Sequence, residues 1–225
     1  FKPSVYVGKV DPEKIAPLVD NTVARKENYP GLNRVTQVEY PPGSTWKPVT
    51  ALAAMQEHLL SPYSSIQCTP RAEYGLDKQV FRNWDPYVNR PMTLPEALAT
   101  SCDTYFYDVG YRFYTDGRDS WDRLQDWARV FGFGAPAGLD IGGEADGLLP
   151  TPAWRKRTFT SDWDKAWNPG DSIQLAIGQK DVTVTPLQMA RFYAMIANGG
   201  KLVTPYVASE VETPGSNGQR PVVLR

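Results

Sequence analysis

The sequence predicts an α+β chain in which helices dominate, on two observations. Apolar residues recur at helical spacing in several capped stretches, whereas strand-like runs are short and scattered. The clearest helix signals are Asp11-Pro12, Thr93-Leu94-Pro95-Glu96 and Thr185-Pro186, each a capping residue followed by an early proline. A third observation fixes the centre of interest. Tyr40-Pro41-Pro42-Gly43-Ser44-Thr45-Trp46-Lys47-Pro48 is a glycine turn that delivers a serine to the first turn of a helix.

Taken in order, Ser4 to Val10 reads as extended, and Asp11 caps a short helix with Ile15, Leu18 and Val19 as its apolar stripe. Residues 29–34 form a turn-rich loop. The helix after Ser44 carries Ala51, Leu52, Ala54, Met55 and Leu59 on a mostly apolar face. Pro48 falls among the first four N–H groups, which lack intrahelical acceptors, so its ring costs little there. Residues 61–93 read as loops with a hairpin through Tyr74–Phe81. Thr93 and Glu96 have capping-box spacing and open a helix through Ala97, Leu98 and Ala99. A second apolar stretch follows Ser101-Cys102-Asp103, running through Tyr105-Phe106-Tyr107 and Val109 to a stop at Asp116-Gly117. A further helix spans Ser120 to Phe131, with Trp121, Leu124, Trp127 and Ala128 at core spacing. Residues 132–172, rich in glycine and proline, are expected to be irregular. The helix after Thr185 runs to Ala197 and stops at Asn198-Gly199-Gly200. Lys201 to Val207 and Val222 to Leu224 read as strand pieces.

The chain is 225 residues long, 41% hydrophobic and 22% charged, the composition of a folded domain with one sizeable core. A net charge of -1 provides no basic field for nucleic acid. No run approaches the ~20 apolar residues of a membrane span. The opening Phe1-Lys2-Pro3-Ser4 is not a signal peptide, and the chain reads as the middle of a longer protein. Cys68 and Cys102 lack zinc spacing; they fit two buried free thiols, the favoured reading, or a single bridge in an oxidising compartment.

Ser44 and Lys47 lie three apart and so share a helix face. A serine hydroxyl becomes nucleophilic when a neighbouring base takes its proton, and a neutral amine can serve. The helix N-terminus favours alkoxide over ammonium. Four residues alone fit equally a serine N-cap followed by a surface lysine. The only histidine, His58, fits a solvated residue late in the same helix. It lies 14 residues, about 20 Å of helix, from Ser44, which argues against a Ser-His-Asp triad. Ser101 and Asp103 sit between two helical stretches rather than inside one. They are either capping groups or a second hydroxyl and carboxylate facing Lys47 across a cleft.

The ordered blocks from Tyr40–Pro48 through Glu96-Ala97-Leu98, Ser101–Tyr107, Trp167–Asp171, Ile177-Gly178-Gln179 and Thr185–Ala190 resemble class B penicillin-binding proteins. These are D,D-transpeptidases that cross-link peptidoglycan. Asp103 followed by Thr104-Tyr105-Phe106-Tyr107 resembles the elongation-type branch, penicillin-binding protein 2. The likeness covers roughly residues 29–206. It implies the penicillin-binding-protein transpeptidase and serine β-lactamase-like fold, here mostly its helical part with an incomplete antiparallel sheet. It also implies that residues 1–225 are the central part of one transpeptidase domain, with the first core strands and the third-motif strand elsewhere. The third motif, Lys-Thr-Gly or Lys-Ser-Gly, does not occur in this sequence, and Lys180 stands where relatives usually carry glycine.

By that resemblance the catalytic residues are Ser44, Lys47, Ser101 and Asp103, with no metal or organic cofactor. Ser44 would form the acyl-enzyme, Lys47 would take its proton, and Ser101 would pass a proton to the leaving amine. The implied ligands are peptidoglycan stem peptides and β-lactam antibiotics. A membrane glycosyltransferase is the implied partner, reached through segments outside this chain, and the implied location is the extracytoplasmic face of a bacterial cytoplasmic membrane. Without the strand that supplies the second oxyanion donor, worth about 10²–10³ in rate, the chain alone is expected to be inactive or very weak. Rival readings are a serine β-lactamase or β-lactam sensor of the same fold, or a non-catalytic cell-wall assembly module. Asp103 introduces a tension: a carboxylate beside Lys47 favours the ammonium, the wrong direction for a base.

Overall fold

The computed structural model describes residues 11–116 and 121–208. The runs read at Ser4–Val10 and Val222–Leu224, together with Gly117 and Ser120, lie outside them. Asp11 caps α1 (Pro12–Val19), its carboxylate accepting from the Glu13 N–H at 3.1 Å. Asp20 then caps α2 (Asn21–Lys26), its carboxylate accepting from the Thr22 and Val23 N–H groups. Pro17 lies inside the eight-residue α1, and none of that helix's residues, the expected apolar stripe included, is fully buried.

A 3₁₀ turn, Gly43–Trp46, leads directly into α3 (Lys47–Gln56). The helix stops before His58, which adopts a left-handed φ of 59°. His58 therefore sits in the turn after the helix rather than in its last turn as expected. Among the described residues, the ladder strands lie within residues 66–92. β1 (Ile66–Cys68) pairs antiparallel with β4 (Arg90–Met92), and β2 (Arg71–Tyr74) pairs with β3 (Gln79–Arg82). The expected hairpin is present, with Tyr74 opposite Gln79 and Ala72 opposite Phe81. Both sheets are two-stranded and open.

The capping box at Thr93 forms, its N–H donating to Glu96 Oε2 at 2.8 Å, and opens α4 (Leu94–Ala99). After a three-residue turn, α5 (Asp103–Thr115) runs through the core. It packs most extensively on α9 (Pro169–Ala176). Between them come α6 (Arg123–Val130), α7 (Pro152–Thr158) and α8 (Asp162–Lys165), and α10 (Pro186–Ala197) follows. So the stretch 132–172, expected to be irregular, contains two helices and the start of a third. The signals were caps rather than periodicity: Thr151 before Pro152, and Asn168 before Pro169 with Asp171 at the third position. Lys201–Val207 forms no ladder among the described residues; instead the Val207 and Ala208 N–H groups donate to the Asp140 carboxylate.

One core joins these elements. Trp46, Val49 and Ala53 of the turn and α3, Tyr105, Phe106 and Val109 of α5, and Ile173 and Ala176 of α9 are all fully buried. Phe133 bridges Trp46 to Phe192 of α10, with ring centroids 4.8 and 5.5 Å apart. Thr50 ties α3 to α9 by donating its hydroxyl to the Ala176 carbonyl at 2.8 Å.

The α5–α9 crossing depends on Gly110. A Cβ there would lie 2.7 Å from the Ser172 carbonyl oxygen, 2.8 Å from Ala176 Cβ and 3.0 Å from Ile173 Cα. Alanine would gain about 1 kcal/mol of helix propensity, but overpacking against backbone typically costs about 1–3 kcal/mol. These neighbours are not flexible side-chain tips, so packing decides the sign. Gly110→Ala should lose about 1–2 kcal/mol net, seen as a lower urea midpoint with unchanged m-value.

Candidate active site

The residues read as functional occupy the start of α3 and the α4–α5 junction. Ser44 is held by backbone on both sides of its turn. The Tyr40 N–H donates to Val184 O at 2.8 Å and receives the Val184 N–H on its own carbonyl at 2.9 Å. The Gly43 N–H donates to Gly178 O at 2.8 Å, with Gly43 at a φ of 54°. Gly178 admits this approach because it has no side chain: a Cβ would lie 2.5 Å from Gly43 O. The Tyr193 hydroxyl donates to Thr45 O at 3.1 Å. Within this frame Trp46 is fully buried and Ser44 is exposed.

Lys47 points inward. Its side chain is 1% exposed, although it carries an ionisable amine. Nζ donates to Ser101 O at 2.7 Å, to Ser101 Oγ at 2.9 Å and to Asp103 Oδ1 at 2.6 Å. An ammonium has three donors, and these three acceptors use all of them. The Phe106 ring lies 5.7 Å from Nζ. The structure thus brings Lys47, Ser101 and Asp103 together. Ser44 stands one turn before Lys47, whose backbone N–H donates to Ser44 O, and none of the three Nζ hydrogen bonds goes to the Ser44 hydroxyl.

Ser101 reaches Lys47 through a helix C-cap. The Cys102 N–H donates to Ala97 O at 3.0 Å and the Ser101 N–H to Leu98 O at 3.2 Å, the Schellman pattern. Glycine usually takes the left-handed position of that motif. Here Ser101 holds it, with φ at 55°, at a cost of about 1–2 kcal/mol for an L-residue. Asp103 is the first residue of α5, where the helix dipole favours a carboxylate. Its second oxygen accepts the Trp84 N–H at 3.0 Å. The Trp84 indole N–H donates to Ser101 O at 3.1 Å, and Asn83 Oδ1 accepts the Asp103 N–H at 3.0 Å. Asn83 and Trp84 were missed from sequence. They follow β3, about a strand and a helix away in the chain, and no spacing rule links them to Ser101.

Cys68 and Cys102, favoured above as free thiols, form a disulfide. The β1–β4 pairing sets the end of β1 beside the α4–α5 turn, with Cα atoms 6.3 Å apart, inside bridging range. Lys180 adopts a left-handed φ of 69°, which accounts for a preference for glycine there, and its ammonium pairs with the buried Asp171. Asp171 also accepts from Arg155 at 2.9 Å.

Burial pushes the Lys47 amine below its ordinary value of 10.5, while the hydrogen bond and charge of Asp103 pull it back up. Desolvation is the larger effect, so the net displacement of the amine is downward despite the carboxylate beside it.

Residues 10–223 match the model of the penicillin binding protein transpeptidase domain. The chain therefore belongs to that family, and it has the family's mixed α+β fold with small open antiparallel sheets amid helices. It is a class B transpeptidase domain closely related to the elongation-type MrdA/PBP2 proteins. It is 32% identical to the peptidoglycan D,D-transpeptidase MrdA of Acinetobacter baumannii over all of this chain and 30% of that protein. It is similar in structure to Pseudomonas aeruginosa PBP2 in complex with WCK 5153, with a TM-score of 0.77, 32% identity, and 100% and 49% of the two chains covered. The Helicobacter pylori PBP2–MreC complex gives a TM-score of 0.76 at 29% identity, covering 98% of this chain and 37% of that one. The chain spans about a third of the length of the curated relatives it matches. No helix among the described residues is long and apolar enough to cross a membrane.

The Lys47–Asp103 pair makes a signed prediction for stability. A folded lysine with a depressed pKa binds fewer protons than the unfolded chain between that pKa and 10.5, so stability rises with pH across the window. Asp103→Asn removes the influence that raises the pKa and widens the window. The variant should be less stable than the parent near neutrality, and its deficit should shrink as pH rises towards 10.5, as read from urea titrations at both ends.

Proposed function

We propose that this protein is a peptidoglycan D,D-transpeptidase in which Ser44 forms the acyl-enzyme. The observation that carries the reading is the buried Lys47 amine, depressed by desolvation, joined to Ser101 and Asp103 one turn from an exposed Ser44. A neutral amine has two donors and one lone pair. Two of the three present contacts then suffice to hold it, and the lone pair is released to accept the Ser44 proton.

Ser44 Oγ attacks the carbonyl carbon of the penultimate D-alanine of a stem peptide as its proton passes to Lys47. The oxyanion is met by the Ser44 N–H, which lies in the first turn, where N–H groups have no intrahelical acceptor. The C–N bond breaks, and the proton travels from Lys47 through the Ser101 hydroxyl to the departing D-alanine amine. An amine of a neighbouring stem peptide then attacks the ester, and Ser44 regains its proton. β-Lactams acylate the same oxygen. Asp103 orients Lys47 and tempers its basicity.

We assign the whole protein to the outer face of the cytoplasmic membrane, anchored outside the described segment and acting with a membrane glycosyltransferase. The solved complex of H. pylori PBP2 with MreC supports such an assembly role. We take residues 1–225 as the central part of one transpeptidase domain whose second oxyanion donor comes from a strand bearing Lys-Thr-Gly or Lys-Ser-Gly. Tests accordingly use the full-length protein.

A fluorescent penicillin should label that protein covalently and persist for hours, and Ser44→Ala should abolish labelling. Lys47→Ala should slow acylation by about 10²–10⁴. Asp103→Asn should move the acidic limb of the acylation–pH profile to lower pH, because the neutral amine forms earlier. An unmoved limb would exclude direct tuning of Lys47 by this carboxylate. Rapid loss of the label would make the protein a β-lactamase, and no labelling at all would leave an assembly module.

A further inference from the structure

We infer that the Cys68–Cys102 disulfide and the Asn83 carboxamide form a brace that positions Ser101 and Asp103 against Lys47. The inference rests on the transpeptidase reading for its kinetic consequence, but not for its geometry.

Cys102 stands between the two residues that touch Lys47, and its own side chain turns the other way. It is 1% exposed, and Cys68 at the other end of the bridge is 0% exposed. Asn83, itself buried, lies across the bridge. Its Nδ2 is 3.5 Å from Cys68 Sγ and 3.9 Å from Cys102 Sγ, and its Oδ1 takes the Asp103 N–H at 3.0 Å. Adjacent residues extend the clamp. Thr104 Oγ1 donates to Thr69 O at 2.9 Å and accepts the Thr69 N–H at 3.0 Å. Residues 68–69 therefore grip positions 102 and 104, while residues 83–84 grip positions 101 and 103.

The turn needs such support. Ser101 is left-handed without being glycine, so in isolation the tripeptide relaxes away from the geometry that sends both its carbonyl and its hydroxyl to Nζ. A small cavity of about 120 Å³ lies beside the bridge, lined by Cys68, Asn83, Trp84, Met92, Thr100 and Cys102. Backbone pairing of β1 with β4 anchors Cys68 and so gives the brace a fixed end.

A staple that only stabilises the fold would alter global unfolding and leave chemistry in the folded protein alone. A positioning brace changes the chemistry. The test uses the full-length protein, its C68S/C102S double variant, and Asn83→Ala with the bridge intact. The probe is a fluorescent penicillin. The limiting acylation rate should fall about 10- to 100-fold in both variants, while the dissociation constant of the first complex moves by less than about threefold. In amide exchange on the unliganded protein, the Trp84 indole and Asp103 N–H of the C68S/C102S variant should exchange at least about tenfold faster relative to the Val109 amide in the core. Acylation within about twofold of the parent in a folded variant overturns the brace. So do unchanged exchange ratios, or two free thiols in the oxidised native protein. Should the double variant fail to fold, Asn83→Ala decides through the acylation rate and the exchange of the Trp84 indole, which donates to Ser101 rather than to Asn83. Should penicillin label not even the parent, the transpeptidase reading falls, and the exchange ratios alone decide the brace.

Discussion

The arrangement depends on one constraint: an amine has been taken out of water and must be met on every side. Lys47 is as buried as Trp46 beside it, and an uncompensated ammonium there would cost several kcal/mol. A single tripeptide answers it. Ser101 supplies a carbonyl and a hydroxyl, and Asp103 supplies a carboxylate oxygen. For three acceptors from neighbouring residues to converge on one nitrogen, the chain must reverse sharply between α4 and α5. That requirement explains the left-handed serine, the Schellman bonds before it and the fresh helix start after it. The form of the Ser101–Asp103 turn thus follows from the burial of Lys47.

The other half of the site is a matter of helical phase. A 3₁₀ turn has about three residues per turn and an α-helix 3.6, and the change from one to the other falls between Trp46 and Lys47. Ser44 faces out, whereas Trp46 and Lys47 both face the core. Trp46 wedges against Phe133 and fixes the rotation of the turn, so the exposed hydroxyl and the buried amine keep their relation. Gly178 and Val184 hold the segment entering the turn by backbone alone, without competing for the polar side chains of the site.

Much of this was legible in the sequence where a local rule had a local cause. Caps at Asp11, Thr93 and Thr185 gave helices in the right places, and the Tyr74–Phe81 hairpin formed in register. The motif residues Lys47, Ser101 and Asp103 were named from sequence, and the structure brings them into contact. What escaped has a common physical character. Asn83 and Trp84 act through a backbone N–H, a carboxamide and an indole N–H on a turn 16 to 20 residues away, and such contacts leave no periodic trace. The Cys68–Cys102 bridge is closed by the β1–β4 pairing, a long-range event that cysteine spacing does not report. Helices α7 and α9 were hidden by a window rich in glycine and proline, where two capped starts carried the signal instead of amphipathic runs.

The balance at Lys47 shows why support for residues 101–103 matters. The attraction of a carboxylate for an ammonium is about 4 kcal/mol at 4 Å in a medium of effective dielectric 20. The burial penalty for the same ammonium is also several kcal/mol. Two opposed effects of similar size decide whether the amine holds its proton, and burial is the larger here. Desolvation is set by the core around α3 and α5 and changes little with small motions. The carboxylate's pull depends on where Asp103 sits, and Asp103, at the start of α5, is held in addition by Trp84 and Asn83. A turn allowed to wander would therefore vary the basicity of Lys47 as well as its distance from Ser101. Fixing residues 101–103 from both sides holds the carboxylate and the hydroxyl at set distances from the buried amine.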